Sequence, residues 1–236
     1  MQFEPLGTVA GIAAYTTGFR KLACAGSNRD PDPVVAGSAE SFFNQLWGAA
    51  IDRLHEHAAG VGADGVLGVS VDQRPVDAGW QLQLSGTALR LPAAERLPVP
   101  FLSALPMRAF LTLLAAGWMP AGIVWGNAAV HVHGAAASPS LQGVNWRNAE
   151  MAGPTSGVNA ARARAEAAVH RTLRASGAHG AVGMTIDMQH RSQACWGSNV
   201  PGMMFLANAW GTGVVRYRDP ALRIVPARAL SREAAR

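Results

Sequence analysis

Two histidines one residue apart could bind a metal ion. His131 and His133 lie at the end of an apolar segment, 121–132, that predicts a β-strand. Residues i and i+2 of a strand share a face, and imidazole nitrogen is a common zinc ligand. The pattern therefore indicates a divalent metal ion as candidate cofactor, with His179 or His190 as candidate third ligand. The alternative is a histidine pair at a surface or an interface, without metal.

A second candidate centre combines a thiol with an imidazole. Cys195 and His190 lie five residues apart in a predicted loop. A cysteine nucleophile requires a positioned base and an oxyanion site, and the sequence indicates neither. The other cysteine, Cys24, forms no Cys-x-x-Cys pair with it. We therefore expect a chain that is not an enzyme.

One glycine motif imitates a dinucleotide-binding fingerprint. Residues 60–65 match Gly-x-Gly-x-x-Gly. That fingerprint requires a strand before the glycines and a helix after them. Here a predicted helix precedes the glycines and a predicted strand follows. The reversed order excludes this kind of site.

The elements that position these residues belong to an internal repeat. Three blocks recur in the same order, at offsets of 111, 115 and 125 residues: Ala10–Ile12 with Ala121–Ile123, Gly62–Val69 with Gly177–Met184, and Gly86–Leu89 with Gly211–Val214. Recurrence at such spacing is the signature of a tandem duplication. From the offsets, the second repeat gains four residues between its first strand and its helix, and ten more in its last hairpin.

Each repeat predicts the order β-α-β-β. The apolar positions of 38–61 recur every three or four residues, as on one face of a helix that starts at Ser38 or Ser41. The second helix is predicted over 156–176. Gly62 and Gly177 would end the helices in the left-handed conformation. Six glycines of the repeated block are therefore predicted to be structural: Gly62, Gly65, Gly68, Gly177, Gly180 and Gly183.

The expected fold is α+β, with two units that each place one long helix on a three-stranded antiparallel sheet. We predict unit 1 over 1–95, a proline-rich linker over 96–106 and unit 2 over 107–220. A basic C-terminal tail occupies 221–236.

Two residue pairs are retained between the repeats. Asp72 and Asp187 each follow the repeated glycine block, at a predicted strand end where aspartate often stabilises a turn. His55 and His170 occupy equivalent helix positions. We predict structural roles for both pairs.

One face of the closing strand differs between the repeats. Gln81, Gln83 and Ser85 in the first repeat become Leu206, Asn208 and Trp210 in the second. An apolar outer face needs a cover. We therefore predict that Leu206 and Trp210 lie at an interface with the other repeat or another subunit. A small ligand there would contact Trp196, Phe205 and Trp210.

Charge and hydropathy exclude some classes of function. The first 100 residues carry seven basic and ten acidic side chains, whereas the remainder carries 13 and five. No aromatic residues interleave with the arginines, which disfavours nucleic-acid binding. The apolar stretch 101–125 is interrupted by Pro106, Arg108 and Pro120, so no membrane span is predicted. We expect a cytoplasmic protein.

The repeated Gly-Ala-x-Gly block after a glycine-ended helix, the following aspartate and the closing Gly-Thr strand resemble the YbjQ-like family. These small bacterial proteins are known as a heavy-metal-binding domain family. The resemblance covers about 6–91 and 107–218, and 116–123 looks like the entry to the second unit of two-domain relatives. It implies a dodecin-like fold, a homo-oligomeric ring and a bound heavy metal.

The residues and the resemblance together predict a non-enzymatic, homo-oligomeric binding or scaffold protein. In the leading hypothesis it forms a closed ring and binds a metal ion through His131 and His133. The alternative is a purely structural ring, or an assembly that binds a small ligand or partner between its units without metal.

Overall fold

The computed structural model describes residues 3–16, 33–77, 79–92, 97, 99–133, 151–192 and 202–217. These residues form eight strands and three helices in the order β1 Glu4–Thr16, β2 Val34–Val35, α1 Gly37–Gly60, β3 Gly65–Val76, β4 Gly79–Arg90, β5 Phe101–Leu102, α2 Met107–Ala115, β6 Trp118–His133, α3 Ala152–Ala175, β7 Gly180–Ser192 and β8 Gly202–Arg216. The α+β class predicted from the sequence is confirmed.

The long strands of each repeat build one sheet. The first has the strand order β1-β4-β3-β5 and the second β2-β6-β8-β7. The three long strands of each sheet are antiparallel, as predicted. Each sheet gains a fourth strand of two residues, which the predicted unit lacked. These short strands come from the predicted linker and from the loop before α1.

The short strands tie the repeats together. Val34 of β2 lies opposite His131 in β6, so a segment of the first repeat completes the sheet of the second. The Ala36 amide extends this pairing by donating to the Ala129 carbonyl at 2.8 Å. In the first sheet, Phe101 of β5 runs parallel to β3 opposite Gly65.

Helix α1 lies between the two sheets. One core cluster joins α1 residues such as Leu46 and Trp47 to Leu82 of the first sheet and to Leu206 of the second. A second cluster lies on the other face of the second sheet, where Ala165 and Val169 of α3 pack on Phe205 and its neighbours. The described chain is therefore a stack of four layers: first sheet, α1, second sheet, α3.

The first helix starts close to its predicted position, and the second starts earlier. Helix α1 begins at Gly37 without a side-chain hydrogen bond at its N-cap, so the predicted serine caps are wrong. Helix α3 begins at Ala152, four residues before the predicted Ser156. Its Pro154 lies in the first turn, where the missing N–H has no intrahelical partner to lose.

The contacts between each long helix and the first strand of its repeat show that the offset of 111 residues assigned to the first strands is wrong. A Cβ on Gly11 would lie 2.1 Å from the Ala50 carbonyl oxygen, and one on Gly126 would lie 2.4 Å from the Ala165 carbonyl oxygen. Both pairs are separated by 115 residues, so Gly126 is the counterpart of Gly11. The sequence alignment of Gly11 with Gly122 is wrong, and no four-residue insertion precedes the second helix.

Both long helices are followed by a glycine in the left-handed region. Gly62 has φ +69° and Gly177 has φ +68°. A Cβ on Gly177 would meet no heavy atom within 4 Å, so a substitution there tests the backbone conformation alone. We expect Gly177→Ala to lower the free energy of unfolding by about 1–2 kcal/mol, measured by urea denaturation. Gly60→Ala, inside α1 and equally uncrowded, should not destabilise the protein.

Among the helices described, none has the length and apolar character required to cross a membrane.

Candidate functional site

A polar cleft lies between the two repeats. It has a volume of about 420 Å³ and is lined by β3 of the first sheet and by β7 and β8 of the second. Its lining residues are Val71, Asp72, Gln73, Thr185, Ile186, Asp187, Gln189, Asn208 and Trp210. The repeated aspartates thus line the same cleft.

Both aspartates lie inside long strands, opposite Gln83 and Asn208 respectively. The predicted turn role is therefore wrong. The Asp187 carboxylate accepts a hydrogen bond from the Gln189 amide at 2.9 Å.

Tryptophan rings form the inner wall near the cleft. Trp47 is fully buried and stacks on Trp125 with 5.7 Å between ring centroids. Trp47 also contacts Trp210, with 5.9 Å between the ring centroids. The Trp47 indole N–H donates to the Gln73 side-chain oxygen at 3.2 Å, which fixes the amide of Gln73 at the cleft.

The predicted interface residues lie at this junction within one chain. Leu206 is 2 % exposed in the core cluster that contains α1, and the half-buried Trp210 packs against the same cluster. Phe205 points to the opposite face, into the α3 cluster. The predicted pocket of Trp196, Phe205 and Trp210 therefore does not form around Phe205, and Trp196 and Cys195 lie outside the described residues.

The two candidate metal ligands are buried side by side. His131 and His133 are each 2 % exposed, and their ring centroids lie 4.6 Å apart in an edge-to-face arrangement. They occupy the end of β6 on the face that packs on α1. The spacing therefore correctly brings the two rings together.

Neither predicted third ligand joins these histidines. His190 packs against Phe205 on the α3 face of the second sheet, so the sheet separates it from His131. The His179 ring contacts Trp118 at the other end of β6, 15 residues from His133, which is about 50 Å along a strand. Among the described residues, no group of three or more His, Cys, Asp or Glu side chains could hold a metal ion.

The retained helix histidines have unequal surroundings. His55 is half-buried, and burial lowers its pKa, a shift that Asp52 and a hydrogen bond with Pro100 oppose. His170 is exposed on α3. Their equivalence in sequence therefore reflects the duplication and does not give them the same environment.

The remaining repeated glycines lie at the starts of strands and at bulges. Gly65 begins β3 beneath the Phe101 ring, whereas Gly180 begins β7 without a crowding neighbour. Gly68 and Gly183 lie where the β3–β4 and β7–β8 registers shift. An added Cβ at Gly68 would meet no heavy atom within 4 Å, so its φ of +62°, and not lack of space, favours glycine there.

Comparison with known proteins identifies a relative. No family model matches the chain. The chain is 30% identical over 203 residues to the encapsulin nanocompartment protein Rv1762c of Mycobacterium tuberculosis (strain ATCC 25618 / H37Rv). The alignment covers 83% of this chain and 74% of the relative. The chain belongs to the family of this encapsulin nanocompartment protein.

Membership of the encapsulin nanocompartment protein family corrects the leading functional hypothesis. The relative's name refers to a compartment and not to a metal. Together with the separation of His179 and His190 from the histidine pair, this makes the metal-binding prediction wrong. The alternative from the sequence, an assembly without metal, agrees better with the family.

Sequence reasoning missed the role of the cleft residues. Gln73 directly follows Asp72 in the sequence, whereas Asn208 lies opposite Asp187 only through the register of β7 and β8. What the sequence did not reveal is that α1 brings β3 and β7 to the same cleft. The placement of one helix between two sheets is a long-range feature that local periodicity does not encode.

Proposed function

We propose that this chain is a non-enzymatic structural component of an encapsulin nanocompartment and that it assembles with copies of itself. The observation that carries the proposal is the 30% identity to an encapsulin nanocompartment protein over 203 residues. An alignment of that length is longer than either repeat, so the similarity extends across both units.

The architecture supports a structural role. The two repeats share one core, in which Trp47 and Leu206 are buried between the sheets. A body with a common core transmits load as a single block, because close-packed interiors have low compressibility. We include in this proposal the YbjQ-like, dodecin-like character of each unit, which the repeated glycine block supports.

Polar side chains lie on both outer layers of the stack. On the first sheet, Gln81 and Gln83 remain half-exposed on the face away from α1. On α3, Arg162 and Glu166 form an exposed ion pair at 3.0 Å. Polar outer faces limit further layer-on-layer stacking, as capping repeats do in repeat proteins, so self-assembly uses other surfaces.

Self-assembly can be tested on the untagged chain produced alone. Light scattering after size exclusion, together with negative-stain microscopy, should show a defined multimer of the 24.6 kDa chain and uniform closed particles. A monomer at every concentration tested would overturn the proposal. Uncontrolled aggregation without a defined mass would also contradict it.

A further inference from the structure

Parts of both outer edges of the first sheet are blocked. On β1, the His57 Nδ1 atom lies 3.2 Å from both the amide nitrogen and the carbonyl oxygen of Ala10. The Arg53 guanidinium also donates to the Ile12 carbonyl. These side chains of α1 occupy backbone groups that an added strand would need.

The opposite edge of this sheet, along β3, is covered as far as Val69 by the segment after β5. The Val69 amide donates to the Ser103 carbonyl at 3.0 Å, and the Ser103 amide donates to the Val66 carbonyl at 2.9 Å. Further along β3, Pro75 has no N–H to offer. Proline and covering segments are common protections for sheet edges.

One edge of the second sheet is blocked in the same way. Strand β2 pairs with the end of β6. Further along β6, the Thr172 hydroxyl accepts from the Trp125 amide at 3.2 Å and donates to the Trp125 carbonyl at 2.8 Å. Thr172 is the counterpart of His57, at an offset of 115.

The remaining edge, along β7, carries backbone groups that no described residue pairs. Because both backbone groups of Trp125 face Thr172, the opposite residue Trp210 turns its own groups towards β7. Trp210 therefore makes the hydrogen-bonded pair with Thr185. Alternation along the strand then places the N–H groups of Ile186, Met188 and His190 on the outer edge.

A comparison of the repeats shows that this edge has lost its protection. His190 is the counterpart of Pro75, at an offset of 115. The first repeat thus has proline where the second repeat has an outward N–H. Because of this difference, the β7 edge has a backbone N–H that can donate to an added strand.

The side chains beside this edge are self-complementary. Within the described residues, the Arg191 Nε atom is buried without a hydrogen-bond partner, and the guanidinium lies 6.0 Å from the centre of the Trp80 ring. Asp187, four residues earlier on the same face, forms no ion pair with any described residue. An arginine and an aspartate on one strand can satisfy each other across a two-fold axis.

We propose that a second copy of this chain adds its β7 antiparallel to this edge, about a two-fold axis at Met188. Asp187 then lies opposite Gln189 of the partner subunit and diagonal to Arg191 of the partner subunit, within the range of cross-strand pairs. This inference rests on the proposed self-assembly and identifies its surface. Because the pairing is isologous, it closes as a dimer, the building block of a larger particle.

His190→Pro removes one outward N–H without removing an intrachain strand bond, and it reproduces the Pro75 solution of the first repeat. We expect the variant to lose the dimer and the particle while its melting temperature stays close to that of the wild type. His190→Ala, which keeps the N–H, should assemble normally. Hydrogen exchange should show the Ile186 and Met188 amides protected in the wild type and unprotected in His190→Pro.

A charge swap tests the register independently. Asp187→Arg places arginines diagonal to each other across the axis and should dissociate the dimer. The double variant Asp187→Arg with Arg191→Asp restores the pair and should restore the dimer. A wild-type monomer would overturn the proposed function itself. A wild-type multimer that His190→Pro and Asp187→Arg leave intact would overturn only the β7 interface.

Discussion

Replacing Gly11 by valine is expected to destabilise the protein strongly. The new Cβ would lie 2.1 Å from the Ala50 carbonyl oxygen and 2.5 Å from the Leu54 amide nitrogen. Both neighbours are backbone atoms of α1, so no side-chain rotation can relieve the overlap. Overpacking in a close-packed interior costs about 1–3 kcal/mol and sometimes more. Since α1 cannot retreat without leaving the second sheet, we expect about 3 kcal/mol or more, measured by urea denaturation.

A matched control for the Gly11 substitution is a glycine of α1, the helix that Gly11 contacts, where an added side chain has room. Gly48 is in the middle of α1, and a Cβ there would meet no heavy atom within 4 Å. Gly48→Ala should therefore stabilise the protein by about 0.5–1 kcal/mol, the difference in helix preference between the two residues. If Gly11→Val were as stable as the wild type, helix and strand could not approach as closely as described.

The parts of the fold that local patterns encode could be predicted. The apolar spacing of α1 and the glycine after each helix are short-range signals, and both helices end just before that glycine. In β4, Leu82 and Leu84 are fully buried and alternate with the half-buried Gln81 and Gln83, which is the period of two expected of a strand with one buried face. These features depend on backbone preference and on which side of an element is apolar.

The first-strand alignment failed because glycine has two different uses. Gly122 has φ +143° and lies at a register shift in β6, with no atom near its missing Cβ. Gly126 has a helix backbone against it. In the sequence, Gly122 and Gly126 both lie in a strand rich in alanine and glycine. Only the contact of Gly126 with α3 distinguishes them. The counterpart of Gly11 could therefore not be identified from composition.

The histidine pair shows where pattern reasoning about a site ends. Residues i and i+2 of a strand do share a face, and His131 and His133 do contact each other. A complete metal site depends on where a third side chain lies, which is set by strand register and by the layer on each face. His190 lies on the other face of the sheet because its strand partner is Phe205. The pairing of His190 with Phe205 is a long-range feature, which the spacing of histidines in the sequence does not reveal.

The apolar face of β8 is covered within the chain, which changes what its disruption should do. Leu206 is 2 % exposed between the second sheet and α1. Leu206→Asp would place a carboxylate in this core, where burial of an unpaired charge is strongly unfavourable. We expect a loss of about 4 kcal/mol or more in the free energy of unfolding, which is a large part of the roughly 5–15 kcal/mol by which a typical domain is stable. Urea denaturation followed by tryptophan fluorescence measures the loss.

Two controls separate the buried charge from other effects. Leu206→Met keeps the volume and should cost less than about 1.5 kcal/mol. Gln81→Asp introduces the same carboxylate at the equivalent position of the first repeat, where the side chain is half-exposed, and should change stability by only about 0.5 kcal/mol. If Leu206→Asp dissociated the assembly but kept the wild-type stability, Leu206 would face another subunit. The shared core between the repeats would then be wrong, because a charge at position 206 can be tolerated only if α1 does not cover it.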